Sequence, residues 1–255
     1  MKYTVITGAS SGIGYEAALA FAEKNKNLVI AARSKEKLEQ LEKEIKKINP
    51  DLDVIIKLTD LSIIENVYKL YNELKKYTLE TWINNAGFGN FEQVKDQNLE
   101  KIERMLRLNI EALTVLSTLY ARDYSDAEGS CLINVSSVGG YSVVDNSVTY
   151  SAAKFYVSAF SEGMAQELSK RGAKIQVKVL APAATETDFA NTALNVNDFE
   201  YEKNSPRFHT AKEMAGFLLK LWESDKILGI VDVDTYEFKL TDPVFQFRQS
   251  QTMKN

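Results

Sequence analysis

A strand-like run, Thr4-Val5-Ile6, breaks into Thr7-Gly8-Ala9-Ser10-Ser11-Gly12-Ile13-Gly14, and residues 15–23 then take up a helical pattern. A strand, a glycine turn and a helix in that order suit phosphate binding. The helix N-terminus offers unpaired N–H groups and the positive end of its dipole, and glycine lets a pyrophosphate come close to the backbone. The spacing is G-x-x-x-G-x-G, so the commoner G-x-G-x-x-G pattern is not present. Taken alone, the same glycines could serve only a tight βα turn.

The chain beyond this turn keeps alternating between two kinds of segment. Short apolar runs recur at Leu28-Val29-Ile30, Val54-Ile55-Ile56, Trp82-Ile83, Leu132-Ile133-Asn134-Val135 and Ile175-Gln176-Val177-Lys178-Val179-Leu180. Near-continuous apolarity predicts strands covered on both faces. Between them, Leu38, Leu41, Ile45 and Ile48 form a helical stripe, with Glu39 and Lys43, and Glu42 and Lys46, placed to pair at i,i+4. Val67, Leu70, Tyr71 and Leu74 make a second stripe, and further helices fit residues 98–124, 151–170 and 211–224. Residues 227–238 should add an edge strand. The alternation predicts an α/β fold, a doubly wound parallel sheet of Rossmann-like form. No repeat, low-complexity tract or linker interrupts it, so residues 1–255 read as a single domain.

Composition removes several classes of function. The 255 residues carry 31 Lys+Arg against 35 Asp+Glu, a net charge of −4, which gives no global case for nucleic-acid binding. Cys131 is the sole cysteine and His209 the sole histidine, so neither an intramolecular disulfide nor a Cys-rich or multi-His metal site is expected. The apolar start is broken at Gly8, too short for a signal-peptide core, and nothing approaches a membrane span. The expectation is a cytoplasmic protein with neither nucleic acid nor membrane as partner.

Four further features stand in order along the chain: Asn84-Asn85-Ala86-Gly87, Asn109, Ser137, and Tyr150-x-x-x-Lys154, with 13 residues from Ser137 to Tyr150. With residues 7–14 they resemble the short-chain dehydrogenase/reductase family, from residue 3 to about residue 189. Independently of the family, the glycine turn, Asp60-Leu61, residues 84–87, Ser136-Ser137 and residues 182–187 all follow strand runs. Open α/β sheets bind ligands outside the carboxyl ends of their strands.

The resemblance implies a nicotinamide dinucleotide held by Gly8, Ser10, Ser11, Gly12, Ile13 and Gly14. It places Asp60 and Leu61 beside the adenine, and Asn85, Ala86 and Gly87 along the adenosine half. Asn84 is expected instead to brace neighbouring strands. Pro182, Thr185 and Thr187 should border the nicotinamide, Thr187 holding the carboxamide. Here Ala183 stands where the family usually has glycine, which puts the local backbone shape in question because alanine does not readily take positive φ. At the end of the second strand the chain reads Ala32-Arg33-Ser34-Lys35, with no carboxylate for a ribose 2′-hydroxyl. Arg33 offers a planar, permanently charged fork to a 2′-phosphate and Ser34 a further donor, so the cofactor expected is NADP (NADPH).

Tyr150 and Lys154 share one helix face a turn apart. A nearby ammonium and an oxidised nicotinamide would favour the phenolate, lowering the tyrosine below its usual pKa of about 10. In reduction the same phenol hands its proton to a carbonyl oxygen as hydride reaches carbon. Ser137 would fix that oxygen, while Ser136 faces the other way along the strand. By resemblance, Asn109, Ser137, Tyr150 and Lys154 form the catalytic set; Lys154 also holds the nicotinamide ribose and Asn109 supports a water in the proton relay.

Phe88, Phe91, residues 138–146 and residues 189–208 fall on the substrate side, with Val143, Val144, Leu194, Val196, Phe199, Tyr201 and Phe208 available as apolar walls. Residues 190–209 lack clear periodicity and read as a substrate loop or lid. His209 enters the next helix or touches substrate, and Cys131 reads as a small buried hydrophobe. The function expected is NADP-dependent exchange of hydride between nicotinamide and a ketone or aldehyde/alcohol pair, with an uncharged carbonyl substrate. The alternatives are a 3-ketoacyl reductase acting on acyl-carrier thioesters and a catalytically silent NADP-binding regulator. A homo-oligomer is possible by resemblance. The end of the chain, Val231-Asp232-Val233-Asp234-Thr235-Tyr236-Glu237-Phe238 and a polar tail to Asn255, departs from the family pattern, so no oligomer number carries over.

Overall fold

A computed structural model describes residues 1–248; residues 249–255 of the polar tail lie outside them. An eight-stranded sheet forms the centre, ordered β10-β9-β6-β5-β4-β1-β2-β3. Its first six strands in sequence are β1 (Lys2–Thr7), β2 (Asn27–Ala32), β3 (Val54–Leu58), β4 (Thr78–Asn84), β5 (Cys131–Val135) and β6 (Gln176–Ala181), and all six run parallel. Helices α1 (Gly12–Glu23), α2 (Lys35–Ile48) and α9 (Ala211–Glu223) cover one face, and α3 (Ile64–Leu74), α5 (Leu113–Tyr124) and α6 (Val148–Lys170) the other. The pleat explains the continuous apolar runs. In β1, Ile6 packs with Phe21 and Leu41 on one side while its neighbour Val5 packs with Leu70 and Tyr120 on the other.

The strand order reverses between β1 and β4, because β1 leads outward to β2 and β3 while β4 leads the other way to β5 and β6. A crevice opens at such a switch point, above the carboxyl ends of the strands.

Four expectations are corrected. Residues 227–238 are not one edge strand. They hold β9 (Leu228–Val231), parallel to β6, and the start of β10 (Phe238–Thr241), an antiparallel edge. The Asp232 carboxylate accepts from the Asp234 and Thr235 amides at 3.0 and 2.9 Å and turns the chain between them. Residues 98–124 are likewise not one regular helix: α4 (Leu99–Leu106) and α5 are joined by a π-helical turn, Arg107–Ala112. Residues 190–209 are not irregular throughout, since α7 (Phe189–Leu194) and α8 (Tyr201–Asn204) form there, and β7 (Thr185–Glu186) pairs with β8 (His209–Thr210). On α2 neither expected pair forms: Glu39 meets Lys35 at 3.6 Å, and Lys46 turns from Glu42 to donate to the carbonyls of Pro50 and Leu52 in the chain that follows the helix.

Lys178 is buried in β6, where an apolar residue would be usual, and its ammonium donates to the carbonyls of Leu221 at 2.9 Å, Trp222 at 3.1 Å and Ser224. Among the described residues the Trp222 and Ser224 carbonyls are otherwise unpaired acceptors at the end of α9, whereas that of Leu221 also accepts from the Ser224 amide and hydroxyl at 3.2 and 2.9 Å. Burial pushes the ammonium pKa down from its usual value, with Cys131 and Asp225 acting the other way. Lys178→Met keeps the bulk and strands the Trp222 and Ser224 carbonyls, which should cost about 1–3 kcal/mol of stability. The urea midpoint of the purified variant measures this; an unchanged midpoint would show that water caps α9 equally well.

Candidate active site

The crevice encloses about 940 Å³. Gly8, Ser10, Ser11, Gly12 and Ile13 form its floor between β1 and α1. The Gly8 amide continues the β1–β2 ladder, donating to the Ala31 carbonyl at 2.8 Å, and its φ of +67° then turns the chain out of the strand. The turn is bolted to the end of β4 by two groups. Thr7 Oγ1 accepts from the amides of Asn85 and Ala86, both at 3.1 Å, and Asn85 Nδ2 donates to the carbonyls of Thr7 and Gly8 at 3.0 and 3.2 Å. Asn84 turns the other way into a buried network with Trp82, Ser117 and Asn134, so it does brace neighbouring strands.

Arg33, Asp60, Leu61, Asn85, Ala86 and Gly87 all line the crevice. The Arg33 side chain is exposed and has neither salt bridge nor hydrogen bond among the described residues. Asp60 is held below the usual carboxylate range: burial opposes this, but the Ser62 hydroxyl and amide, Arg33 and Arg104 together outweigh it. Arg104 Nη2 lies 3.5 Å from Asp60 Oδ2 and joins the wall from α4. Sequence reasoning missed Arg104 and Lys101. Their spacing with Leu108 (i, i+3, i+7) puts all three on one helix stripe, and all three line the crevice.

Ser137, Tyr150 and Lys154 meet on the opposite wall. Tyr150 lies in the first turn of α6, which begins at Val148, earlier than the residue-151 start expected. Its ring is nearly covered, with Phe91 edge-on at 6.1 Å and Phe189 at 5.5 Å. Lys154 Nζ donates to the Val135 carbonyl at the end of β5 at 2.9 Å and stands 5.8 Å from the Tyr150 ring centre. Ser137 Oγ accepts from the Gly139 amide at 3.0 Å, which fixes the oxygen and leaves its proton to donate. Ser136 faces away, bonded to Ser158 Oγ and the Lys154 carbonyl.

Burial raises the Tyr150 pKa above the usual phenol value, and the Ser137 hydroxyl opposes it only in part. The sequence expectation of a lowered value takes in both the Lys154 ammonium and an oxidised nicotinamide; the chain's own residues alone give the raised direction. Desolvation is the larger effect, with the rings of Phe91 and Phe189 against the phenol, and the nearby Lys154 ammonium is itself pushed down to about 8 by burial.

Pro182, Ala183, Thr185 and Thr187 line the crevice beyond β6, and the Thr187 methyl packs against Gly12 at the glycine turn. Thr187 Oγ1 accepts from the Phe189 amide, starting α7. Ala183 is not among the residues with positive φ, so its replacement of glycine leaves an ordinary backbone here.

Three expected site residues stand outside the lining. Gly14 is buried beneath the turn against Gly8 and Asn85; Ser34 caps α2 by accepting from the Lys37 amide; and Asn109 is buried in the π-helical turn. The Asn109 side-chain amide exchanges both hydrogen bonds with the Phe88 backbone, at 3.2 and 2.9 Å, and so fixes the segment after β4. Phe88, Phe91, Val138, Val144, Leu194, Phe199 and Tyr201 reach the crevice, whereas Val143 and Val196 point to solvent and Phe208 lies outside the lining. His209 pairs its backbone in β8 and packs its ring on Phe217 and Tyr236, away from the crevice; Cys131 is buried. No helix among the described residues is long and apolar enough to cross a membrane.

The sequence model of the short chain dehydrogenase family matches residues 2–197. The chain belongs to that family, whose members are oxidoreductases binding a nicotinamide cofactor. It is 30% identical over 246 residues to dehydrogenase/reductase SDR family member 11 of Gallus gallus, covering 91% of this chain and 94% of that one. A 3-oxoacyl-[acyl-carrier-protein] reductase of Buchnera aphidicola is 26% identical over 225 residues, 86% of this chain and 89% of the relative. Among solved structures, a short-chain dehydrogenase from Sphingobium yanoikuyae in complex with NADPH superposes with a TM-score of 0.83 at 28% identity, over 92% of this chain and 89% of that one. A bulky-bulky ketone specific alcohol dehydrogenase from Comamonas testosteroni gives 0.79 at 26% identity, over 92% and 87%.

Proposed function

We propose that this protein reduces uncharged ketones or aldehydes with NADPH. The observation that carries the reading is the meeting of Ser137, Tyr150 and Lys154 on one wall of the crevice, beneath the apolar rings of Phe91 and Phe189. The residues present fit the cofactor: in the glycine turn the amides of Ser10, Ser11, Gly12 and Ile13 have no partner among the described residues and suit a pyrophosphate, and the unpaired Arg33 guanidinium suits a ribose 2′-phosphate. When bound, NADPH supplies the hydride.

The chain's own residues do the rest. Ser137 donates to the substrate oxygen and holds the carbonyl for attack, stabilising the charge that grows there. Tyr150, kept protonated by burial, delivers its proton to that oxygen. Lys154 steadies the phenolate left behind and holds the nicotinamide ribose through the donors not spent on Val135. Phe91 and Phe189 exclude water and favour an apolar substituent. The NADPH complex of the Sphingobium relative and the ketone specificity of the Comamonas enzyme support this reading.

The test is NADPH and NADH oxidation over a panel of apolar ketones, aldehydes and acyl-carrier thioesters. Turnover of apolar ketones with NADPH is expected. Turnover of thioesters alone would make the protein a carrier reductase, and cofactor binding without any turnover would make it a regulator. Arg33→Ala should weaken NADPH by roughly tenfold to a hundredfold, through loss of a charge-assisted contact worth about 1.5–3 kcal/mol, and leave NADH almost unchanged. An equal loss for both cofactors would remove Arg33 from cofactor selection.

A further inference from the structure

Helix α7 has only six residues and ends at Asn195, which lies at φ +56°. So short a helix has little stability of its own, and its place must be set from outside. At its C-terminal end the carbonyls are orphans. Lys101 of α4 reaches across to them, donating to the Thr192 carbonyl at 2.9 Å, the Ala193 carbonyl at 3.4 Å and the Asn195 side-chain oxygen at 2.8 Å. Asn195 Nδ2 in turn donates to Glu92 at 3.1 Å, and the Phe91 amide donates to the Ala193 carbonyl at 3.0 Å. Three separate stretches of chain are thereby clasped at one point.

At the other end of α7, Phe189 lies against both Tyr150 and Phe91. Phe189 and Asn195 are six residues apart, a span of about 9 Å in a helix, so a shift at the clasp carries to the ring that covers the phenol. We propose that Lys101 and Asn195 are positioning residues for the reaction: by clasping the C-terminal end of α7 to α4 and the segment after β4, they set Phe189 over Tyr150 and so shape the seat of the carbonyl substrate. The statement about substrate rests on the carbonyl-reductase reading; the statement about α7 does not. The polar character of the clasp matters. An apolar contact would hold α7 without direction, whereas a lysine with three acceptors fixes its height and rotation together.

Lys101→Met keeps the length and apolar stem and removes the three donors, and Lys101→Arg returns a cation at the same place. Two measurements are made on the full chain. Hydrogen exchange of amides in residues 189–196 should quicken about tenfold in Lys101→Met, with β1, β4 and β5 unchanged, and return toward the parent rate in Lys101→Arg. In steady-state reduction of an apolar aromatic ketone, KM should rise about tenfold with NADPH affinity held within about twofold, again recovered by arginine. Asn195→Ala should move both readouts the same way. Unchanged exchange over residues 189–196 overturns the clasp, whatever the activity. A fall in NADPH affinity parallel to the rise in KM also overturns it, because Lys101 would then be acting on the cofactor. If the parent protein reduces no carbonyl compound, the functional reading fails, and the exchange measurement alone decides whether the clasp holds α7.

Discussion

Tyr150→Phe should lower NADPH-dependent carbonyl reduction by roughly 10²–10⁴-fold while leaving NADPH affinity within about twofold. The substitution removes one oxygen and its proton and keeps the ring, whose contacts with Phe91 and Phe189 hold the wall together. Ser137 loses a partner but keeps its bond from the Gly139 amide, so the remaining donor stays in place. The pH dependence follows from two burial effects of opposite consequence. Tyr150 is raised above the ordinary phenol value, so it carries its proton through the neutral range and is ready to act as an acid. Lys154 is pushed down to about 8, so its charge is present below that pH and lost above it. NADPH affinity of the parent should therefore weaken as pH rises through about 8, and Lys154→Met, weaker throughout, should lack that step. Fluorescence titration of NADPH across pH 6 to 10 reads the affinity of both proteins, and stopped-flow NADPH oxidation reads the proton donor. Near-normal turnover by Tyr150→Phe would remove Tyr150 as the acid and with it this chemistry.

The central sheet was legible in the sequence because its inner strands are buried on both faces, which writes continuous apolar runs such as Leu28-Val29-Ile30 into the chain. The crevice was legible because motif residues fall after strands, and the switch point between β1 and β4 gathers strand ends into one place. What period cannot show is how a side chain spends its hydrogen bonds. Asn109 was placed correctly in a helical stretch, yet both ends of its amide go to the Phe88 backbone, inside a π-helical turn that no spacing announces. The raised Tyr150 value of the chain by itself has a related origin: the covering rings Phe91 and Phe189 come from distant segments, and desolvation is a tertiary property. In residues 190–209 the short helices are held by contacts such as Lys101 to Asn195 and not by an amphipathic stripe, so no periodicity marks them. One signal was present and unread, since Asp232 and Asp234 within residues 227–238 mark the turn that separates β9 from β10.

Gly14 shows how the same glycine turn can be correctly found and its members differently employed. In the sequence it reads as a point of close approach for the pyrophosphate, so that Gly14→Val would cost binding before folding. In the structure it does not line the crevice. A Cβ built on it would lie 2.4 Å from the Gly8 carbonyl oxygen and 2.4 Å from Asn85 Nδ2, the two groups joined by the bond that bolts the turn to β4. The Asn85 amide could rotate aside only by giving up that bond, and the Gly8 carbonyl cannot move without shifting a residue already at positive φ. Even Gly14→Ala should therefore destabilise the protein by about 2–3 kcal/mol, the scale of an overpacked core, and valine by more. NADPH affinity should fall together with stability, because the amides of residues 8–13 are positioned by the same turn. Relieving one contact should not rescue it: in Gly14→Ala combined with Asn85→Ala the carbonyl clash remains and the bolt is also lost, so the double variant should be no more stable than the single. Urea unfolding of the three proteins beside NADPH titration tests this, and a Gly14→Ala protein that unfolds like the parent yet fails to bind NADPH would return Gly14 to the cofactor side of the turn.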